Sequence, residues 1–113
     1  MWRKINSVFE CLPLAARING RIFCVHGGIS PELNDLEMIR QIQRPMPVED
    51  HGLVCDLLWS DPKSGVESFN ENNRGVSVIY GEPALEQFMN NTNIDFVVRS
   101  HEIIPEGYQY FAG

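Results

Sequence analysis

The stretch IFCVHGGIS, residues 22–30, places a histidine and two glycines directly after four apolar residues that favour a β-strand. Side chains at the carboxyl end of a buried strand reach into the crevice of an α/β sheet, where ligands commonly bind. Gly27 and Gly28 allow the chain to turn without a clash from a Cβ atom. The pattern therefore predicts that His26 lies at the mouth of a site rather than inside the core.

A second histidine, His101, follows another apolar run, FVV, after Arg99 and Ser100. If the two strands are parallel neighbours, their carboxyl ends present both imidazoles at one edge of the sheet. Imidazole suits Zn, Fe and Mn, so the spacing leaves two interpretations open: a shared metal site, or two strand-end histidines satisfied by backbone carbonyls. His51 follows Pro47 in a loop and is predicted to be a surface residue.

Arg74 lies near the end of a polar stretch, SDPKSGVESFNENNRG (residues 60–75), which is predicted to be one long loop. Loops of this length are uncommon in compact domains unless they are functional or disordered. A guanidinium matches the oxygens of a phosphate, so an arginine beside a metal site indicates a phosphoryl substrate. The alternative is a solvated arginine whose stem packs on the surface. Asp61, which precedes a proline, is first of all a turn residue.

The rest of the chain alternates helical and strand patterns, which predicts one domain of mixed α/β class with helices flanking the sheet strands. In the first half, Asn19-Gly20 predicts a β-hairpin that leads into a strand at residues 22–25. The other expectations there are an amphipathic helix on Trp2, Ile5, Phe9 and Leu12 laid on a core and ended by Pro13, and a helix capped by Asn34 and closed by Pro45.

In the second half, LVCDLLW (residues 53–59) is apolar and its pattern does not separate helix from strand. VSVIY (residues 76–80) predicts a strand, Pro83 opens a helix with Leu85, Phe88 and Met89 facing inward, and IDFVV leads to Arg99 as a further strand. The final stretch, GYQYFAG (residues 107–113), is expected to be extended.

Composition narrows the class of protein. The 113 residues are 43% hydrophobic and 21% charged, with a net charge of -6, which disfavours nucleic acid and anionic membranes as partners. Cys11, Cys24 and Cys55 form no C-x-x-C pair and are expected to be reduced and buried, as in the cytosol or nucleus. Glu10 and Pro13 interrupt the apolar start of the chain, so neither a signal peptide nor a membrane span is predicted.

Four blocks carry a resemblance to a known family: FCVHGGISPEL, GLVCDLLWSDP, NNRGVS and VVRSHEIIPEGYQYFA. In this order they resemble signature blocks of the metal-dependent phosphoprotein phosphatases, the serine/threonine-specific family, and most closely its type 1 branch. The resemblance runs over nearly the whole chain. It implies a partial calcineurin-like metallophosphoesterase fold and metal-assisted hydrolysis of phosphoserine and phosphothreonine.

The resemblance also implies roles for individual residues. His26 and His101 correspond to ligands of one of two divalent ions, which would be Mn, Fe or Zn. Arg74 corresponds to the catalytic arginine that binds the substrate phosphate, and Asp61 to a carboxylate near the site but not on the metal. Phosphoprotein substrates and regulatory or targeting subunits are the partners that the family implies.

Three further blocks of that family, G-D-x-H-G, G-D-x-x-D-R-G and G-N-H-E, do not occur here. Residues 1–113 are therefore expected to be part of a phosphatase catalytic domain without its flanking segments, with at most one partial metal site and no activity alone. The alternative is a non-catalytic module, derived from a phosphatase, that binds regulatory proteins.

Overall fold

The computed structural model describes residues 1–112, which form four α-helices and two three-stranded sheets. The helices are α1 Trp2–Phe9, α2 Glu37–Arg40, α3 Leu53–Trp59 and α4 Glu82–Thr92. The strands are β1 Ala15–Ile18, β2 Ile22–Val25, β3 Asp61–Pro62, β4 Phe69–Glu71, β5 Val78–Tyr80 and β6 Phe96–Val98. The predicted mixed α/β class is confirmed.

The first sheet has the order β1-β2-β6. The predicted hairpin joins β1 to β2, and both of its central residues have positive φ, 49° at Asn19 and 69° at Gly20, as a type I′ turn requires. Strand β6 pairs with β2 in parallel, with Ile22 opposite Phe96. The parallel arrangement on which the two-histidine site depends is therefore present, and both strands end at the same edge.

The second sheet has the order β3-β5-β4 and corrects the prediction of one long loop over residues 60–75. Strand β3 pairs in parallel with β5, and β4 pairs antiparallel with it. These strands have two and three residues, too few for an alternating pattern to be visible in the sequence. Strand β5 begins at Val78 rather than Val76 because Ser77 has a φ of 63°, which no β-strand adopts.

The core lies between the first sheet and helix α4, and Tyr80 and helix α3 extend it toward the second sheet. The rings of Phe23 and Phe88 meet at a centroid distance of 5.4 Å. Each fully buried side chain of this kind contributes about 1.5–3 kcal/mol by leaving water. Helix α4 begins with Pro83 in its first turn and faces the core as predicted. The buried core residues are Phe23, Val25, Ile29, Leu33, Leu57, Tyr80, Ala84, Leu85, Phe88 and Ile94, with Met89 half-buried against them.

Helices α1 and α2 differ from expectation. Helix α1 ends at Phe9 instead of reaching Pro13, and it buries none of its residues, so it is not laid on a core within this chain. Helix α2 ends at Arg40 and not at Pro45, and it is not capped by Asn34. Its N-cap residue is Leu36, and the Asp35 carboxylate accepts the Glu37 N–H at 3.0 Å. Asp35 can do so because it is two residues before the helix starts, the reach of an Asx turn.

Helix α3 resolves the ambiguity of residues 53–59. It carries the buried residues Cys55, Asp56 and Leu57, and a helix buried on this scale has no clear polar face, which is why its period is not visible in the sequence. All three cysteines are free thiols, but Cys11 is exposed, contrary to the expectation that it is buried.

The end of the described chain forms no strand. Residues 107–112 are irregular, and Gly113, the last residue of the predicted extended stretch, lies outside the described residues. Among residues 1–112, no helix combines the length and the apolar character needed to cross a membrane.

Candidate active site

The two glycines after β2 are required by close packing. A Cβ atom on Gly27 would lie 2.6 Å from backbone atoms of Leu58 and Trp59. A Cβ atom on Gly28 would lie 2.4 Å from the ring of Tyr80. Neither glycine has a positive φ, so the turn depends on the missing side chain and not on unusual dihedral angles. The turn can therefore press against helix α3, where the Gly27 N–H donates to the Leu57 carbonyl at 2.8 Å.

The two predicted histidines meet at the carboxyl edge of the β2–β6 pair. His26 Nε2 and His101 Nδ1 are 3.1 Å apart, and the rings are edge to face with centroids 4.9 Å apart. The backbone continues the strand pairing one step further, because the Ser100 N–H donates to the His26 carbonyl at 3.1 Å. When both rings are neutral, one of these nitrogens donates to the other, so the two imidazoles share one tautomer: both carry the proton on Nε2 or both on Nδ1.

His101 is held in an unusual backbone conformation and a half-buried setting. Its φ is 71°, in the left-handed region that is uncommon for residues other than glycine, although histidine, asparagine and aspartate adopt it more often than the others. Its ring contacts that of Trp59, with centroids 5.3 Å apart. Burial, together with repulsion from the Arg74 guanidinium, lowers the pKa of His101 from its usual value. A neutral imidazole with a free lone pair is the form that binds a metal ion.

Arg74 is paired with Asp61. Arg74 Nε donates to Asp61 Oδ2 at 2.6 Å, and Nη2 lies 3.4 Å from Oδ1. The side chain of Arg74 is 37% exposed, whereas that of Asp61 is 10% exposed. Burial acts to raise the pKa of Asp61, but hydrogen bonds from Arg74, Asn72 and Arg99 outweigh it and hold the pKa below its usual value. Asp61 is thus an ionised, buried carboxylate that holds a partly exposed guanidinium.

Arg99 is a residue of this region to which the sequence analysis assigned no role. Its Nη2 donates to Asp61 Oδ1 at 2.8 Å and to the Ser60 carbonyl at 3.1 Å, and its Nε donates to the Gly27 carbonyl. Its Nη1 is paired with the Glu102 carboxylate. Its position in the sequence could have indicated a role, because Arg99 follows β6 and lies two residues before His101. That is the edge that the two histidines were predicted to share.

A second buried carboxylate, Asp56 of helix α3, holds the segment that follows Arg74. Its two oxygens accept hydrogen bonds from Ser30 Oγ at 2.6 Å and Ser77 Oγ at 2.7 Å. Ser77 is the residue with a φ of 63°, so this bond stabilises a backbone conformation that costs on the order of 1 kcal/mol or more by itself. Asp56 has no distinguishing signal in the sequence, since it lies in an otherwise apolar run.

The histidine pair fits one divalent ion. Nitrogen ligands at about 2.0–2.1 Å from a shared ion lie about 3.3–3.4 Å apart in tetrahedral geometry and about 2.9 Å apart at an octahedral right angle. The observed separation of 3.1 Å falls between these values. Within residues 1–112 no group of three or more His, Cys, Asp or Glu side chains could hold a metal ion. Among these residues the two histidines can therefore supply only part of a metal site, and their role as ligands stays a prediction.

His51 lies apart from this edge. It is exposed and its Nδ1 is 2.8 Å from the Asp50 carboxylate, an arrangement typical of a surface residue. Of the residues singled out in the sequence, the structure thus places His26 beside His101 and Asp61 beside Arg74. Arg99, which donates to Asp61 and to the Gly27 carbonyl, connects the Asp61–Arg74 pair to the turn after His26.

The fold resembles that of a known phosphatase. The fold is similar to that of a solved protein serine/threonine phosphatase from Saccharomyces cerevisiae, described as similar to human phosphatase PP5, with a TM-score of 0.81 and 28% sequence identity. The match covers 91% of this chain and 32% of that one, so the chain spans about a third of the length of that phosphatase. The closer likeness to the type 1 branch stays a prediction.

A family model gives the same result over most of the sequence. The model described as calcineurin-like phosphoesterase matches residues 1–105. The family hydrolyses phosphoesters and generally uses divalent metal ions. The phosphatase fold that the sequence blocks implied is present, and the chain belongs to the calcineurin-like phosphoesterase family.

Proposed function

We propose that this chain is part of the catalytic domain of a metal-dependent phosphatase that acts on phosphoserine and phosphothreonine in proteins. The observation that carries the proposal is the 3.1 Å contact between His26 Nε2 and His101 Nδ1 at the carboxyl edge of two parallel strands. Arg74 is connected to the same edge through Asp61 and Arg99, because Arg99 donates both to Asp61 and to the Gly27 carbonyl. A metal-binding pair and a phosphate-binding group are then neighbours.

The residues of this chain have distinct tasks in that reaction. His26 and His101 hold one divalent ion, for which Mn, Fe and Zn are the candidates. Bound ions would polarise the phosphoryl oxygens as Lewis acids. Arg74 binds the substrate phosphate and neutralises the negative charge that its equatorial oxygens carry in the transition state. Trp59 packs on His101 and limits the positions that its ring can take.

The isolated chain is expected to be inactive. Its two candidate ligands are neutral imidazoles, and a two-metal centre holds its ions about 3.5–4 Å apart, which requires bridging negative charge. In the proposed function, the remaining ligands come from sequence that carries G-D-x-H-G, G-D-x-x-D-R-G and G-N-H-E. We use "completed domain" for this chain supplied with those blocks on the same or a second chain.

The experiment compares the 113-residue chain with the completed domain on a phosphothreonine peptide, in the presence of Mn²⁺. We expect turnover only in the completed domain, and loss of both turnover and one equivalent of bound metal when His26→Ala and His101→Ala are combined. The matched control is His51→Ala, since His51 is exposed and bonded only to Asp50. Metal-dependent turnover by the isolated chain that the double variant abolishes would refute the proposed partial site. Full activity of the double variant in the completed domain would refute the ligand roles.

A second candidate function is a binding module for regulatory proteins, as a non-catalytic relative of the phosphatases. The exposed apolar side chains of helix α1 favour it, with Trp2 75% and Phe9 58% exposed. In this case a regulatory subunit would bind the isolated chain, and Trp2→Ala with Phe9→Ala would abolish binding while metal uptake stays unchanged. We also propose a cytoplasmic or nuclear location for either function, since all three cysteines are free thiols.

A further inference from the structure

We propose that Asp61 and Arg99 are positioning residues that fix the orientation of the Arg74 guanidinium relative to the turn that carries His26. The proposal deepens the function proposed above, because it rests on the phosphate-binding role of Arg74. In this proposal the buried carboxylate of Asp61 connects Arg74 to the strand edge that carries the two histidines.

Asp61 is held on both of its oxygens. Oδ2 accepts hydrogen bonds from Arg74 Nε at 2.6 Å and from Asn72 Nδ2 at 2.9 Å. Oδ1 accepts from Arg99 Nη2 at 2.8 Å. A carboxylate bound from two sides cannot rotate without breaking a charge-assisted hydrogen bond. The plane of the carboxylate is therefore set by Arg99 and Asn72, and it sets in turn the plane of the Arg74 guanidinium.

Arg99 connects this carboxylate to the turn after β2. The same guanidinium donates to Asp61, to the Ser60 carbonyl and to the carbonyl of Gly27, the residue after His26. Its side chain is 14% exposed, and the planar fork makes all of these bonds from one rigid group. A shift of the turn therefore displaces Arg99, which would displace Asp61 and Arg74.

Arg74 keeps donor capacity for a substrate. The bonds to Asp61 use the edge formed by Nε and Nη2, and within residues 1–112 Nη1 has no hydrogen-bond partner. A phosphate oxygen can bind there without displacing Asp61. The competing explanation is that Asp61 is only a counter-ion for Arg74, in which case its removal would free the guanidinium and strengthen phosphate binding.

The test measures the Arg74 Nε–H of the 113-residue chain by ¹⁵N NMR, using its hydrogen exchange rate. We expect a slowly exchanging signal that Asp61→Asn accelerates at least about tenfold, because a charge-assisted hydrogen bond is lost. Arg99→Lys keeps the charge but loses the fork of donors, and it removes no hydrogen bond that Arg74 itself forms. It should also accelerate exchange at Arg74, by about threefold or more. Backbone amide spectra verify that each variant is folded, and the isosteric Asp61→Asn decides the test if Arg99→Lys does not fold.

The matched control is Asp95→Asn, which breaks a bidentate pair with Arg21 that is also formed through Nε and Nη2. It should accelerate exchange at Arg21 and leave Arg74 unchanged. An Arg74 signal that is unaffected by Arg99→Lys in the folded protein would overturn the coupling, as would equal acceleration at Arg74 in the Asp95→Asn control.

Kinetics of the completed domain separate this proposal from the proposed function. Asp61→Asn should lower kcat about tenfold at unchanged KM. In a domain that already carries Arg74→Ala, it should have no further effect on kcat, whereas loss of a merely structural residue would lower kcat again. If Arg74→Ala retains full activity, the phosphate-binding role is wrong. If Arg74→Ala is impaired while Asp61→Asn matches or exceeds the unmodified domain, only the positioning role is wrong, and a gain in activity identifies Asp61 as a counter-ion.

Discussion

The two ends of the β2–β6 strand pair use the same chemistry in different surroundings. At the amino end, Arg21 precedes β2 and Asp95 precedes β6, and their side chains form two hydrogen bonds of 2.6 Å while 49% and 44% exposed. At the carboxyl end, Asp61 is 10% exposed and binds two arginines and an asparagine. One end holds an exposed ion pair, in which Arg21 also donates to Asn93 Oδ1 at 2.9 Å, and the other holds a buried network.

This difference shows why the pairing distance alone does not identify a functional group. Water screens an exposed pair, and ordering two long side chains offsets most of its attraction. In the buried network each bond restricts the next, and breaking one leaves a desolvated charge. The carboxyl end is therefore the place where a side chain can be held in one orientation, which phosphoryl transfer requires.

The glycines at the two ends differ in the same way. Gly20, in the hairpin before β2, has a φ of 69° and open space where a Cβ atom would be. Gly27, after β2, meets backbone atoms of helix α3 there. At the amino end, glycine is needed because the turn requires a positive φ. At the carboxyl end, glycine is needed because the turn packs too closely against helix α3 to leave room for a side chain.

The largest effect is expected from Gly27→Ala, because the added Cβ would lie 2.6 Å from backbone atoms that cannot rotate away. Overpacking of this kind costs about 3 kcal/mol. Gly20→Ala should cost about 1 kcal/mol, since only the left-handed conformation opposes it. Urea unfolding of the 113-residue chain, followed by circular dichroism, gives both values. Equal decreases in the free energy of unfolding for the two variants would contradict the different roles assigned to Gly20 and Gly27.

Arg74→Ala in the completed domain should lower kcat/KM about 10²-fold or more at unchanged metal content, because one well-placed donor to the transition state is lost. Arg74→Lys should restore only part of the activity, since a point charge does not reproduce the fork of donors. Steady-state kinetics on a phosphopeptide, with bound metal quantified, measures this. Arg21→Ala is the control from the amino end and should retain activity; an equal loss there would indicate a general effect of removing an arginine.

Asp61→Asn should lower the free energy of unfolding at pH 7 by about 2 kcal/mol, the range for hydrogen bonds to a charged group. Although burial opposes it, the surrounding donors lower the pKa of Asp61 in the folded chain from the ordinary value of 3.8. Its stabilising contribution is therefore complete above pH 3.8 and is lost as the pH falls through the folded-state pKa. Denaturant unfolding of both proteins between pH 7 and pH 2 should show the difference shrinking toward acid. A difference independent of pH would mean that the ionised form is not preferentially stabilised.

The smallest effect is expected from Asp95→Asn, which breaks the exposed pair with Arg21. We expect a loss of about 0.5 kcal/mol in low salt that disappears near 1 M NaCl, because surface charges are screened. Unfolding experiments at the two salt concentrations measure it. A loss as large as that of Asp61→Asn would contradict the contrast between the ends.

Much of the fold around the site follows from local patterns in the sequence. Asn19-Gly20 predicts the hairpin because both residues tolerate positive φ, and Pro83 predicts the start of helix α4. The position of His26 and His101 after apolar strands predicts that they share an edge, which their 3.1 Å contact confirms. Their function as ligands, like that of Arg74 as a phosphate-binding residue, is still a prediction.

Other features have no local signal. Strands β3 and β4 are two and three residues long, and their only stabilising partner in the sheet is β5, so their backbone pairing depends on contacts distant in sequence. The Asx turn at Asp35, in place of the predicted cap by Asn34, shows a smaller limit of the same kind, since either side chain can accept a backbone N–H and the path of the chain selects one.

The sequence by itself determined the mixed class, the hairpin, the helix that follows Pro83 and the residue types at the two strand ends, because turn dihedrals and hydrophobic period act between neighbours in the chain. Only the tertiary structure decided that Asp61 binds Arg74 and Arg99, residues 13 and 38 positions away. It also decided that Gly27 has no room for a side chain. Burial and charge pairing depend on which segments meet in space, and that is set by the packing of the whole chain.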